Sequence, residues 1–105
     1  MKKIALDQTA KFNEQAPKLF VLHESEYFKL INFNFRAGQT LPIHSHDIEG
    51  QLSITVISGE GKFLAEGGKT LPAKAGDILI SDIAEKHGIR AETEMRVVVT
   101  IAPPI

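Results

Sequence analysis

The feature that most constrains this chain is a series of short runs dense in β-branched residues: "SITVIS" at 53–58, "DILIS" at 77–81 and "MRVVVTIA" at 95–102. Each run is shorter than a stable helix needs. Branched side chains pack well on a pleated, half-buried surface and crowd a helix, so the runs read as strands. Strands are expected near Leu19 to Leu22, Tyr27 to Arg36, Gly50 to Ser58, Gly61 to Glu66, Lys69 to Leu71, Ile78 to Ser81, Lys86 to Ala91 and Met95 to Ile101. Gly67-Gly68, between "KFLAE" and "KTLPA", reads as a hairpin loop, since both positions tolerate the positive φ of a type I′ turn. In the first fifteen residues Ile4, Leu6 and Phe12 are too few and too irregular for a helix, so 1–18 is expected to be an extended arm or short strand. About eight short strands over 19–105 argue for an all-β sandwich or barrel of the jelly-roll kind, as a single domain.

Composition excludes several function classes. Twelve basic and thirteen acidic residues leave a formal net charge of -1, and the longest basic cluster is Lys2-Lys3. Neither a nucleic acid backbone nor an anionic membrane finds an electrostatic footprint here. No cysteine is present, so any metal must be held by nitrogen and oxygen donors. No apolar run approaches the roughly 20 residues of a membrane span, and the expected location is the cytoplasm.

Chemistry enters at "LPIHSHDIEGQLSITVISGEG", residues 41–61. On an extended segment His44 and His46 point to the same side, roughly 7 Å apart, from which two imidazoles can converge on one ion. Pro42 favours extension at Leu41. A solvated loop that happens to contain two histidines is the competing reading. Downstream, Gln51, Ser53 and Thr55 alternate with Leu52, Ile54 and Val56, so either row can face a cavity while the other packs against water, a second sheet or a partner subunit. A third histidine, His87, follows "DILIS" and an irregular Asp82-Ile83-Ala84 corner. His23, in "VLHESEY", stands alone and is read as a surface residue.

Together these segments resemble the two motifs of a small single-domain cupin, of the conserved-barrel, RmlC-like kind. The family's first motif is Gly, five residues, His-x-His, three or four residues, Glu, about six residues, then Gly. This chain has Gly38, "QTLPI", His44, Ser45, His46, "DIEG", Gln51, "LSITVIS", Gly59, with the last spacing one residue long. The second motif is Gly, five residues, Pro-x-Gly, two residues, His, three residues, Asn. Here it becomes Gly76, "DILIS", Asp82-Ile83-Ala84, "EK", His87, "GIR", Ala91.

The resemblance implies a double-stranded β-helix holding a divalent transition metal (nickel, zinc, iron, manganese or copper) through His44, His46, Gln51 and His87. Gln51 stands for the family's glutamate; Glu49, reached through a bulge at Gly50, is the alternative, and register favours Gln51. A neutral amide in place of a carboxylate would leave the ion its full charge. With Gln51 inward, the pocket wall is expected to comprise Ser53, Thr55 and Ile57, with Phe33, Phe35, Ile89, Met95 and Val97. Leu52, Ile54 and Val56 would then face outward and be covered in a homodimer, with the N-terminal arm available for exchange. A small cupin of pectin degradation carries a similar ligand set, but its acidic and aromatic last-strand residues and following arginine have no counterpart in "VVVTIAPPI". The expected function is a metal-dependent enzyme acting on a small oxygenated compound (diketone, enol or sugar acid); the alternative is a non-catalytic ligand-binding or sensor cupin.

Overall fold

A computed structural model describes all 105 residues. Nine strands form: β1 (Lys18–Glu24), β2 (Lys29–Phe35), β3 (Thr40–His44), β4 (Gln51–Ser58), β5 (Glu60–Ala65), β6 (Thr70–Lys74), β7 (Ile78–Asp82), β8 (His87–Ala91) and β9 (Met95–Ala102). Two antiparallel sheets face each other, one ordered β1-β2-β9-β4-β7 and the other β3-β8-β5-β6. Such a pair of sheets is the jelly-roll arrangement expected from the strand spacing. β3 is the strand missing from the expectation. Its "TLPIH" carries a proline and only two large apolar residues, and edge position lets Pro42 omit a ladder donor.

Strict alternation builds the core. Leu52, Ile54 and Val56 of β4 stand opposite Ile101, Val99 and Val97 of β9, and Ile31, Phe33 and Phe35 of β2 stand opposite Val99, Val97 and Met95. Facing residues share one side of a sheet, so these rows merge into an apolar layer, which Phe63, Ile89 and Ala91 cover from the opposite sheet. The outward orientation expected for Leu52, Ile54 and Val56 is therefore corrected: all three are buried in the chain's own core. An apolar row has more to gain inside the barrel than a row of Gln, Ser and Thr, and this difference sets the register of β4.

Two glycines fix backbone positions near the future site. Gly50, with φ of +148°, precedes β4 where a side chain would collide with the Ala102 carbonyl oxygen. Gly88 lies where a Cβ would approach Leu41 O to 2.7 Å, so its absence lets β3 run tightly against β8. The 65–69 hairpin is closed by Ala65 N–H donating to Lys69 O at 2.8 Å, and both Gly67 and Gly68 take positive φ as expected.

The N-terminal arm forms no strand. It makes one 3₁₀ turn, Leu6–Thr9, and docks on the outer face of its own chain's larger sheet. There Asn32 and Asn34, both fully buried, meet Thr9 and Arg96 in one network. The polar residues of "INFNF" are thus buried donors and acceptors that seat the arm. No helix is long and apolar enough to cross a membrane.

Candidate metal centre

His44 ends β3 and His87 opens β8, and the ladder between these strands places the two residues directly opposite each other. Their ring centroids lie 4.6 Å apart at 61°. His46 follows on the loop after β3, its ring 5.8 Å from that of His44. The three histidines meet at one end of a cavity of about 210 Å³ whose other eight lining residues are all hydrophobic. His44 and His46 are exposed at the mouth, while His87 is 5% exposed.

Backbone contacts settle the tautomers of two rings. His44 Nδ1 lies 2.8 Å from Pro42 O, and His87 Nδ1 lies 2.6 Å from Glu85 O. A carbonyl oxygen only accepts, so each Nδ1 carries the proton and each neutral ring keeps its lone pair on Nε2. Histidine ligands to metals are commonly held this way, the second nitrogen donating to a carbonyl that fixes ring orientation. Burial pushes the His87 imidazole below the ordinary value of 6.5; the Glu85 carbonyl opposes this, and the neighbouring His44 and His46 reinforce it. A neutral ring is the form that binds a metal.

In donor chemistry the three rings fit a divalent transition metal. With nitrogen about 2.1 Å from an ion, two ligating rings have centroids about 4.5 to 5.2 Å apart for octahedral to tetrahedral angles. The His44–His87 pair meets this spacing; the His44–His46 pair is wide, and as the side chains stand no three acidic, histidine or cysteine groups close on one point. The wide spacing involves His46, the one of the three on a loop.

Gln51 is not brought to the histidines. It opens β4 on the outward side, exposed, with Nε2 donating to Asp82 Oδ1 at 3.1 Å, and together with Glu49 it lines a separate surface hollow. Ser53, Thr55 and Ile57 share its side and leave the pocket wall with it. Leu52 takes the place beside the histidines instead, 5% exposed and lining the cavity. One of the two motif spacings carries the signal: six residues before Gly59 lead back to Leu52, whereas four residues after His46 lead to Gln51. Slipping the register by one residue turned every side chain of the strand to the wrong face.

Among the other expected wall residues, Phe33 lines the cavity. Phe35, Ile89, Met95 and Val97 are fully buried deeper in the core, with no cavity surface. The wall is completed by Ile31, Leu41, Ile54, Val99, Ile101 and Ile105. Ile54, Val99 and Ile31 form one cross-strand row, so the inward parity of Leu52 would have identified them.

Known proteins agree with this architecture. A crystal structure of an RmlC-like cupin protein from Desulfovibrio desulfuricans superposes with a TM-score of 0.96 at 48% identity, covering 100% of this chain and 99% of that one. The ectoine synthase of P. lautus superposes with a TM-score of 0.76 at 26% identity, over 100% of this chain and 80% of that one. In sequence, the L-ectoine synthase of Shouchella clausii is 28% identical over 95 residues, which span 89% of this chain and 69% of the relative. The Cupin_2 family, described as a cupin domain, matches residues 32–102, a span that contains both histidine segments, and the chain belongs to that family.

Proposed function

We propose that this cupin is a metal-dependent enzyme acting on a small oxygenated compound, its divalent ion held by His44, His46 and His87. The observation that carries the reading is that three imidazoles, two with Nδ1 held by backbone carbonyls, line an otherwise apolar cavity. A bound ion would supply Lewis-acid polarisation of a carbonyl or enol oxygen or, as iron, activation of dioxygen. The chain's own part is to orient the three Nε2 atoms, exclude water with the apolar wall and hold the organic part of the substrate against Phe33 and Ile54. Similarity to two ectoine synthases supports an enzyme and leaves the compound open.

A cavity of about 210 Å³ lies below the roughly 300–1,000 Å³ of pockets for drug-sized ligands, which suits a small compound. No Lys or Arg lines it, so among the expected classes a diketone or enol fits better than a sugar acid. Beyond the three histidines no acid or base lines the cavity, which supports the second reading, a binding module without turnover. Metal analysis of protein purified without chelator or nickel resin tests the site: about one equivalent is expected, and less than a tenth refutes it. Incubation of the loaded protein with β-diketones, enols and unsaturated uronates under air separates enzyme from binder.

A cytoplasmic homodimer accompanies this proposal. Ile78 and Ile80, each 62% exposed, lie beside Thr55 and Ser53, and with Ile57, Val98 and Thr100 they make an uncharged outer face across β7, β4 and β9. Two copies can approach there without charge repulsion. Light scattering is expected to give twice the chain mass, and an Ile80→Glu variant the monomer; a monomeric wild type rejects the dimer.

A further inference from the structure

After β9 the chain bends at Pro103 and returns over the end of the barrel. Ala102 pairs with Gln51 at the start of β4, and three residues later Ile105 lines the cavity while 36% exposed, so its side chain stands at the mouth. Pro103 is seated beside Gly50, where any Cβ would collide with the proline ring. At the far end Lys29 Nζ donates to Ile105 O at 3.0 Å and lies 3.4 Å from Glu24 Oε2. Lys29 stands opposite Ile101 in the β2–β9 ladder, so it continues the inner row of Ile31 and Phe33 to the rim. We propose that residues 103–105 are a strap that closes the cavity, with Ile105 controlling the entry of small apolar compounds and Lys29 latching it shut. This rests on the cavity being the binding site, as read above, and needs no ion.

The strap is firm at one end and loose at the other. Two consecutive prolines fix φ at 103 and 104, and Pro104 keeps Pro103 extended, so the seat on Gly50 holds the start of the strap in one direction. Beyond it no backbone hydrogen bond holds residues 103–105, which leaves Ile105 tied by the Lys29 contact and by its own apolar side chain. Lids are drawn from such weakly held segments, because opening them costs little and leaves the core intact. Glu24 keeps Lys29 at the rim when the strap lifts, so the latch stays in place for closure. With Ile105 down, the apolar wall of Ile31, Leu41 and Ile101 gains a further hydrophobic face, and a ligand inside is shielded from water. An incoming compound must displace that side chain, and it recovers the lost contact only where its own surface is apolar.

The test follows benzene binding to the full chain in the presence of a chelator, with the isoleucine δ1 methyls labelled with carbon-13 and read by NMR. Benzene enters apolar cavities of about 150 Å³, smaller than the roughly 210 Å³ here. It is expected to shift the Ile31 and Ile54 methyls and to give nuclear Overhauser contacts to both. Entry and exit rates come from line shapes and relaxation dispersion near half saturation. Ile105→Gly is expected to raise both rates at least tenfold, while Ile105→Leu stays within threefold of wild type. Lys29→Met keeps the apolar stem and loses the donor, and is expected to raise both rates at least threefold. Ile105 is exposed enough for its variants to fold, and circular dichroism checks each one. Binding to Ile105→Gly without binding to wild type also supports the strap, as a closure that benzene does not open. Unchanged rates in the folded Ile105→Gly variant overturn the strap and leave the cavity as a binding site; unchanged rates in Lys29→Met reject Lys29 as its latch. No methyl shift in either wild type or Ile105→Gly overturns the strap and the binding cavity together.

Discussion

Replacing Asn34 by Ala should reveal how much of the fold depends on the arm. Asn34 is fully buried, and its amide nitrogen donates to Thr9 O at 2.6 Å and Lys11 O at 2.9 Å. Its oxygen accepts from Asn32 Nδ2 at 2.8 Å and Arg96 Nε at 2.9 Å. Alanine removes all four bonds. The two arm carbonyls belong to residues that can turn to water, so each loss is worth about 1 kcal/mol net. Asn32 keeps Val97 O as an acceptor and loses little. Arg96 keeps Leu6 O through its guanidinium, but Nε is left facing a small apolar void, at about 1.5 to 3 kcal/mol for a charged donor. The expected total is about 3.5 to 5 kcal/mol, or roughly 15 to 40 °C in Tm at the ~4–8 °C per kcal/mol typical of a domain this size. Urea denaturation and calorimetry measure it. A loss below about 1 kcal/mol for Asn34→Ala would show that the arm is not seated by this network.

The site yields three further expectations. His87→Ala should abolish stoichiometric metal binding while Gln51→Ala leaves it unchanged in a competition titration; loss of metal in the Gln51 variant would restore that residue to the ligand set. In the presence of a chelator, stability should fall on acidification. Burial holds the folded His87 below its ordinary value of 6.5, so between that lowered value and 6.5 the unfolded chain binds more protons and the contribution present above 6.5 is lost as pH drops. Denaturation of wild type and His87→Leu at pH 7.5 and pH 5 checks it, the variant expected to show the smaller change. Ile54→Ala, at a residue 2% exposed that also lines the cavity, should cost about 2 to 5 kcal/mol and enlarge the pocket, weakening any apolar ligand more than the metal.

Strand positions were legible wherever burial is one-sided. "SITVIS" and "MRVVVTIA" are buried on one face and less so on the other, and period-two patterning needs only the local sequence. The arm was not legible, because a 3₁₀ turn held by buried asparagines has no periodic signature. Asn32 and Asn34 look like solvent-facing residues until their partners, Thr9 and Arg96, are brought from elsewhere in the chain. Burial of a polar side chain depends on its distant partners, and a local pattern does not encode them.

The candidate site was half legible for a related reason. His44, His46 and His87 could be placed together because the ligand spacing of a known family carries information across the whole barrel. The fourth position could not be chosen by residue chemistry alone: Gln51 attracts attention as a donor, and Leu52 does not. Two physical criteria compete there, donor type against strand parity. Parity governs, since inverting β4 would expose Leu52, Ile54 and Val56 together, at about 1.5 to 3 kcal/mol for each side chain, against the modest gain from a single neutral amide ligand. An inverted strand would thus lose several kcal/mol of burial to bring in one weak donor. The barrel's stability requires the apolar row inside, and that requirement leaves a three-histidine site with an apolar neighbour. The apolar lining beside the histidines is in this sense a consequence of how β4 must fold.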